Sequence, residues 1–356
     1  ILAVKETHEN LYTLQSLTLD DVRQMIGSCC AQAGIPPEAV SAMTVGGNTT
    51  MLHFFLGCDP WLVFQSPYTP VFFDPGVIRA AELGLPICGN VYCMPAIANY
   101  LGGDITGGLL ETDLDTREDL ALFLDIGTNG ELVLGCRDFL LMGAGAAGPA
   151  LEGAVSHSGM RAEPGAICSV KIGADNRLRY QTIGDLPPKG ICGSGIIDVI
   201  AELYRTSIIS SKGQFVREGK RVAHDEHGMG RYILATAAES ETGREISITE
   251  VDIDSFIRAK AAIFSAINIM LSSLDMDVTV LSHVYVAGGI GSGINMENAV
   301  RIGMLPDIDR ELFEYLGNTS LSGAYAMVRS DCAVNKVDEL ASNICLLYTS
   351  PSPRDY

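Results

Sequence analysis

The stretch Asp125-Ile126-Gly127-Thr128-Asn129-Gly130-Glu131 decides how this chain is read. An apolar run, Leu120-Ala121-Leu122-Phe123-Leu124, precedes it, and a second, Leu132-Val133-Leu134, follows it. Strand, glycine-bearing turn, strand is the natural reading. In such a hairpin the backbone N–H groups of the turn and the Thr128 hydroxyl can hold phosphate oxygens. Asp125, at the end of the first strand, can hold a Mg²⁺ ion directly or through its waters. From the heptad alone, an ordinary hairpin with turn-forming Gly and Asn reads equally well. Two later glycine-rich stretches tip that balance.

The first is Gly190-Ile191-Cys192-Gly193-Ser194-Gly195, which opens a helix over 196–204. A helix start offers N–H groups without intrahelical partners, and these attract anions. A Ser-capped helix with turn glycines is the plainer alternative. The second is Gly288-Gly289-Ile290-Gly291-Ser292-Gly293, which ends a buried-strand pattern over 280–287 and precedes a helix over 296–302. A glycine turn at the carboxyl end of a strand is where α/β folds take nucleotides. It is neither a P-loop nor a dinucleotide fingerprint, because the glycine spacing differs and no Gly-Lys-Ser/Thr follows. Between the two, residues 205–250 are polar and read as a surface insert. Thr249 or Asp252 then starts a helix to Leu274, with Ile253, Phe256, Ile257, Ala261, Phe264, Ile267 and Leu271 on its apolar face. Lys260 sits in the middle of that helix and either snorkels to solvent or points at a bound nucleotide.

Towards the N-terminus the signals are weaker. An amphipathic helix is predicted over 18–34, with Leu19, Val22, Met25, Ile26 and Cys29 facing inward. A strand over 40–45 runs into Gly46-Gly47-Asn48-Thr49-Thr50 and a short helix. Residues 95–110 read as a helix rich in small residues, including Gly102, Gly103, Gly107, Gly108 and Asp104. Such spacing lets another helix approach closely. The polar stretch 111–119 reads as a domain boundary, and a last helix runs from about 317 to 328.

Composition bounds the function. The 356 residues, 47% of them hydrophobic, suffice for about two domains with real cores. A formal charge of -19 argues against nucleic acid and anionic membrane as partners. No apolar run is read as a membrane span, and no secretory signal opens the chain. The ten Cys are scattered without a C-x-x-C pair. That argues against zinc and disulfides and for a cytoplasmic location. Residues 345–356 resemble a translated sequencing adapter and are set aside from fold reasoning, and the chain is read as a gene fragment.

The order of motifs resembles the acetate and sugar kinase/heat-shock chaperone/actin superfamily (ASKHA), an actin-like and ribonuclease H-like α/β fold of two lobes that close over ATP. Asp125 to Glu131 matches its second phosphate hairpin, Gly288 to Gly291 its adenosine turn, and the helices at 95–110 and 317–328 its two connecting hinges. Within it, six phrases resemble the ATPase domain of the reductive activators of corrinoid enzymes. They are Gly47 to Met51, Asp125 to Glu131, Ala146 to Gly153, Gly159 to Ala162, Gly190 to Gly195 and Ala259 to Ile263. The resemblance implies residues 1–116 as the remainder of a first lobe truncated at its N-terminus and 117–316 as the second lobe. Residues 317–344 then form the returning hinge. The first phosphate hairpin and a [2Fe–2S] domain are expected upstream of Ile1, so the fragment alone is expected to be inactive.

The implied activity is ATP-driven return of a cobalt(II) corrinoid, on a methyltransferase partner, to cobalt(I). Implied roles are Asp125 on Mg²⁺, and Gly127, Thr128 and Asn129 on the β/γ-phosphates of ATP. Gly193 and Ser194 help hold the nucleotide, Gly288, Gly289 and Gly291 lie against the adenosine, and Lys260 reaches the base or ribose. Asp104 places the attacking water. A homodimer is compatible with this reading. The alternatives are a 2-hydroxyacyl-CoA dehydratase activator, in which Cys168 and Cys192 are the only cysteine pair near the nucleotide loops, a small-molecule kinase, and a non-enzymatic actin-like protein.

Overall fold

The side chains of the strand Ala121–Ile126 are buried on both of its faces except at Asp125. A strand without alternation belongs inside a sheet covered on both sides. It does so in the computed structural model, which describes residues 2–127, 130–145, 148, 153, 156–289 and 293–347. Strand His283–Ala287 pairs with it in parallel, from His283 opposite Ala121 to Ala287 opposite Asp125. Strand Phe313–Gly317 pairs in parallel on the other side of His283–Ala287. The chain returns beside Ala121–Ile126 as Gly130–Cys136, next in the sheet order.

The chain divides into two units. The unit built on these strands takes in Asp119–Leu134 and Gly143–Gly317. It holds a second sheet, in which Ala166–Ile172 lies between antiparallel Leu178–Thr182 and parallel Gly190–Ile191. The polar stretch 205–250 contains a three-stranded antiparallel sheet of Val222–His224, Gly230–Ala235 and Ile246–Thr249.

Helix Glu250–Ser272 begins at a capping box. The Thr249 hydroxyl accepts the Asp252 N–H at 3.2 Å, and the Asp252 carboxylate accepts the Thr249 N–H at 2.9 Å. Both expected starts are therefore right, one as cap and one as its partner. Its buried face is Ile253, Phe256, Ala259, Ile263, Ala266, Ile267, Met270 and Leu271. Phe264 does not belong to it and is 42% exposed. This helix is long and apolar enough to cross a membrane by length and composition only, so the expectation that no apolar run reaches that length does not hold for it.

The other unit takes in Ile1–Glu118, Gly135–Met142 and Asn318–Leu347. Its sheet orders Ala42–Val45, Asn90–Cys93 and Val77–Arg79. Leu19, Val22 and Ile26 of the first long helix pack there with Leu52, Phe55, Leu83 and Val91. That helix spans His8–Ala33, ten residues more than expected at its start. Met25 and Cys29 face solvent instead of the core, and Cys30 is buried in their place. Residues 344–346 form a strand parallel to Leu140–Met142. The first residues of the tail expected to be an adapter scar are therefore part of the sheet.

The first expected hinge helix is cut short. Only Gly103–Leu109 is helical. The segment before it spends its N–H groups elsewhere: Ala96 donates to the Phe73 carbonyl and Ile97 to the Leu101 carbonyl, each at 2.8 Å. Helix Thr319–Arg329 packs on it through glycine against glycine. A Cβ on Gly323 would lie 2.1 Å from the Gly107 carbonyl oxygen. No side chain fits between the two backbones, so the small residues here set the interhelical distance. Gly323→Ala should therefore destabilise the chain by about 1–3 kcal/mol, the usual range for forced overpacking, read from chemical denaturation. An exposed Gly27→Ala substitution, with nothing within 4 Å of its Cβ, should not.

Candidate functional site

In the unit of parallel strands, three strand ends meet. Gly288 follows directly on Ala287, which lies opposite Asp125. Its φ of 102° is a conformation L side chains rarely adopt. A Cβ there would sit 2.3 Å from the Ile126 carbonyl oxygen and 2.7 Å from an Asp125 carboxylate oxygen. The Gly288 N–H donates to the Gly317 carbonyl at 2.9 Å, tying in the third strand end. The two glycine-bearing turns picked out in the sequence are thus neighbours, with a carboxylate against bare backbone. Gly289 differs: a Cβ on it meets nothing within 4 Å among the described residues. Gly127 is equally open. An open glycine leaves its backbone approachable, while Gly288 is demanded by packing. Thr128, Asn129 and Gly291 lie outside the described residues.

The helix Gly193–Arg205 starts beside Gly293. A Cβ on Gly293 would lie 3.4 Å from Ser194 Oγ. Cys192, at the cap position, makes no side-chain cap, which leaves the first N–H groups of a 13-residue helix uncapped by it. The Ser194 hydroxyl itself is turned inward and donates to the Cys168 carbonyl at 3.0 Å. A role for Ser194 towards a ligand therefore falls on its N–H.

Two buried carboxylates on the same helix hold it in place. Asp198 accepts the Val170 N–H at 3.1 Å and the Asn298 side-chain amide at 2.7 Å. Glu202 accepts the Ile172 N–H at 2.6 Å and pairs with Arg205. No motif in the sequence announces these braces; both tie the helix to strand Ala166–Ile172, and Asp198 also holds helix Met296–Arg301 through Asn298.

Lys260 stands apart from the described part of that turn. It faces a pocket of about 300 Å³ closed by Val300, Arg301, Ile302 and Gly303. Burial pushes its ammonium below the usual lysine range. Cys168 and Cys192 do not present a metal-ready pair. Burial raises the Cys168 thiol, and Cys192 Sγ donates to the Ile167 carbonyl at 3.4 Å. Among the described residues no cluster of three or more His, Cys, Asp or Glu is placed to hold a metal.

Asp104 belongs to the other unit. It lies in the first turn of helix Gly103–Leu109. The loop beneath it is tight: a Cβ on Gly102 would lie 2.4 Å from the Gly47 carbonyl oxygen, and the Gly103 N–H donates to that oxygen at 3.0 Å. The Gly46–Thr50 loop thus spends its carbonyl on this helix. Asn48 accepts the Met51 N–H at 3.0 Å, and the Thr49 hydroxyl donates to the Ala98 carbonyl at 2.7 Å. Burial pushes the Asp104 carboxyl above the usual range, against lowering by the N–H groups of Ile105, Asp104 and Gly102. Thr319, which the sequence did not single out, is buried with its hydroxyl unpaired at the start of the adjoining helix.

A family model described as the C-terminal domain of RACo, the ASKHA domain, matches residues 119–354. A second, the RACo middle region, matches residues 1–117. A protein of Eubacterium limosum named corrinoid activation enzyme RamQ is 31% identical, over 95% of this chain and 59% of its own length. The [Co(II) methylated amine-specific corrinoid protein] reductase of Methanosarcina barkeri is 30% identical, over 76% of this chain and 51% of its own. A solved structure titled reductive activator for corrinoid,iron-sulfur protein superposes with a TM-score of 0.89 at 41% identity. It covers 97% of this chain, which spans 56% of that one. The chain thus spans between half and three fifths of the length of these relatives.

Two measurements test the geometry. Gly288→Ala should weaken adenine-nucleotide binding at least about tenfold, equivalent to ~1.4 kcal/mol, while Gly289→Ala leaves the fold intact; calorimetry and denaturation read the two. A carboxyl raised by burial binds its proton more tightly folded than unfolded, so it costs stability once pH rises through its folded pKa. Asp104→Asn should therefore be the more stable protein at neutral pH. The gap to wild type should close below pH ~4, the ordinary carboxylate value, in denaturation curves taken across pH.

Proposed function

The chain belongs to the RACo family of corrinoid activators, and from that premise we propose that it is the nucleotide-binding part of a reductive activator. The whole protein uses ATP hydrolysis to drive one electron from a low-potential donor onto cobalt(II) of a corrinoid protein in a methyltransferase system. Cobalt(I), the methyl-accepting form, results. The relatives' names supply the corrinoid, and the ASKHA match supplies the nucleotide. In this reading residues 1–116 and 317–344 belong to the first ATPase lobe and residues 117–316 to the second.

The single observation that carries the nucleotide reading is the Asp125 carboxylate set against the bare backbone of Gly288. Asp125 is a hard oxygen donor of the kind Mg²⁺ takes, so the residues fit the ion. Mg²⁺ supplies charge neutralisation on the phosphates when bound. The chain's own part is positioning. Gly127, with Thr128 and Asn129, presents N–H groups to phosphate oxygens. Gly193 and Ser194 add the N–H groups of a helix start. Gly288, Gly289 and Gly291 let the adenosine lie on backbone. Asp104 is the candidate for orienting the attacking water, and its raised carboxyl suits a proton acceptor better than an ordinary one does. A [2Fe–2S] cluster as the electron's carrier is assigned to no residue of this chain.

Titration of ADP into the 356-residue chain, with and without Mg²⁺, tests this reading. Wild type should bind more tightly with Mg²⁺, and Asp125→Ala should lose that gain, about tenfold or more, for a charge-assisted contact. Equal affinities for the two proteins in Mg²⁺ would remove Asp125 from the site. A corrinoid protein held in the cobalt(II) state should be retained by the immobilised chain in preference to its methylated form. Indifference to the cobalt state would count against the activator role.

A further inference from the structure

The pocket at Lys260 is lined by none of the other residues assigned to the nucleotide. It lies wholly within the unit of parallel strands, between the later turns of helix Gly193–Arg205, the earlier turns of helix Glu250–Ser272 and the segment 300–303. At about 300 Å³ it is at the lower end of ligand-sized clefts. Its wall is apolar, with Ile200, Phe256 and Val300 buried. Around it stand Tyr204, which is 44% exposed, the two serines at 210 and 211, Lys260 and Arg301.

Two features give this pocket a chemical preference. Among the described residues no carboxylate lines it, in a chain whose formal charge is -19. Lys260 makes no hydrogen bond or ion pair among the described residues, and its nitrogen would be 3.3 Å from a Cβ on Gly303. Arg301 is held ready by a 2.8 Å bond from Nη1 to the Asn298 side-chain oxygen. A half-buried ammonium without a counter-ion is costly, and the lowered pKa of Lys260 expresses that cost. Both are relieved by an anion.

We infer that this pocket binds a small organic anion with a flat apolar body, its ring against the Phe256 and Tyr204 side of the pocket and its charge on Lys260 and Arg301. The inference rests on the geometry of this one unit and stands whether or not the nucleotide reading does. The anion is either a part of the bound nucleotide or a separate small molecule, and one experiment separates the two sources.

Pyridoxal 5′-phosphate is a suitable probe: a flat ring bearing a phosphate and an aldehyde. The aldehyde condenses with a free amine and releases water, borohydride reduces the imine to a secondary amine, and peptide mass mapping locates it. At pH 7.5 the full chain should be labelled at Lys260 ahead of the exposed lysines. The expected preference is about tenfold for each pH unit by which its pKa falls below theirs. Arg301→Gln should cut that labelling about fivefold or more through loss of the charge-assisted contact, with circular dichroism checking that the Asn298 neighbourhood still folds. Ile257→Trp, which fills the pocket, should abolish it, with circular dichroism checking the fold. Protection of Lys260 by saturating Mg–ADP makes the nucleotide the source of the anion. Unchanged labelling with bound Mg–ADP makes it a separate ligand. Label spread evenly over the exposed lysines, or Lys260 labelling untouched by Arg301→Gln, overturns the proposal.

Discussion

The backbone of Gly288 lies against Asp125 and Ile126, and the rest of the candidate site depends on that approach. Two parallel strands deliver a carboxylate and a glycine to the same edge of a sheet. Any side chain at 288 would collide with a carbonyl oxygen that cannot move without unpairing a buried strand. The contact therefore specifies its residue type more strictly than any hydrogen bond nearby. It also brings an acidic group and an approachable turn together at the carboxyl ends of strands, where α/β sheets bind their ligands.

The same device recurs in the other unit. Gly323 meets Gly107 backbone to backbone, and Gly102 meets the Gly47 carbonyl. In each case glycine acts as a spacer of minimum thickness and not as a source of flexibility. The Asp104 helix is short because it is seated on a loop at one end and a helix along its side. That seating holds Asp104 in a setting where its carboxyl is harder to ionise.

Carboxylates hold the surrounding scaffold. Asp198 and Glu202 each take a strand N–H, so helix Gly193–Arg205 completes hydrogen bonding along Ala166–Ile172 while Asp198 also holds Asn298. Buried acids are tolerated there because each is fully engaged. The Lys260 pocket is the reverse: a cation in apolar surroundings without a partner, in a strongly acidic chain.

The sequence by itself carried what is local. The two strands Ala121–Ile126 and Gly130–Cys136, the Thr249 start of the long helix, the buried strand before Gly288 and the family likeness all rest on patterns a few residues long. Periodicity and capping act over that range. It also put Asp125 and Gly288 near each other, though only through the resemblance. The tertiary structure alone decided which glycine is obligatory, since adjacent Gly288 and Gly289 differ in what a strand far away in sequence places beside them and in the φ of 102° that Gly288 adopts. It turned the Ser194 hydroxyl inward and aimed Lys260 at a pocket of its own. It cut the first hinge helix to Gly103–Leu109 and drew Ile344–Leu346 into a sheet. These outcomes depend on close approach between distant segments, and the excluded volume that enforces it leaves no local pattern in the chain.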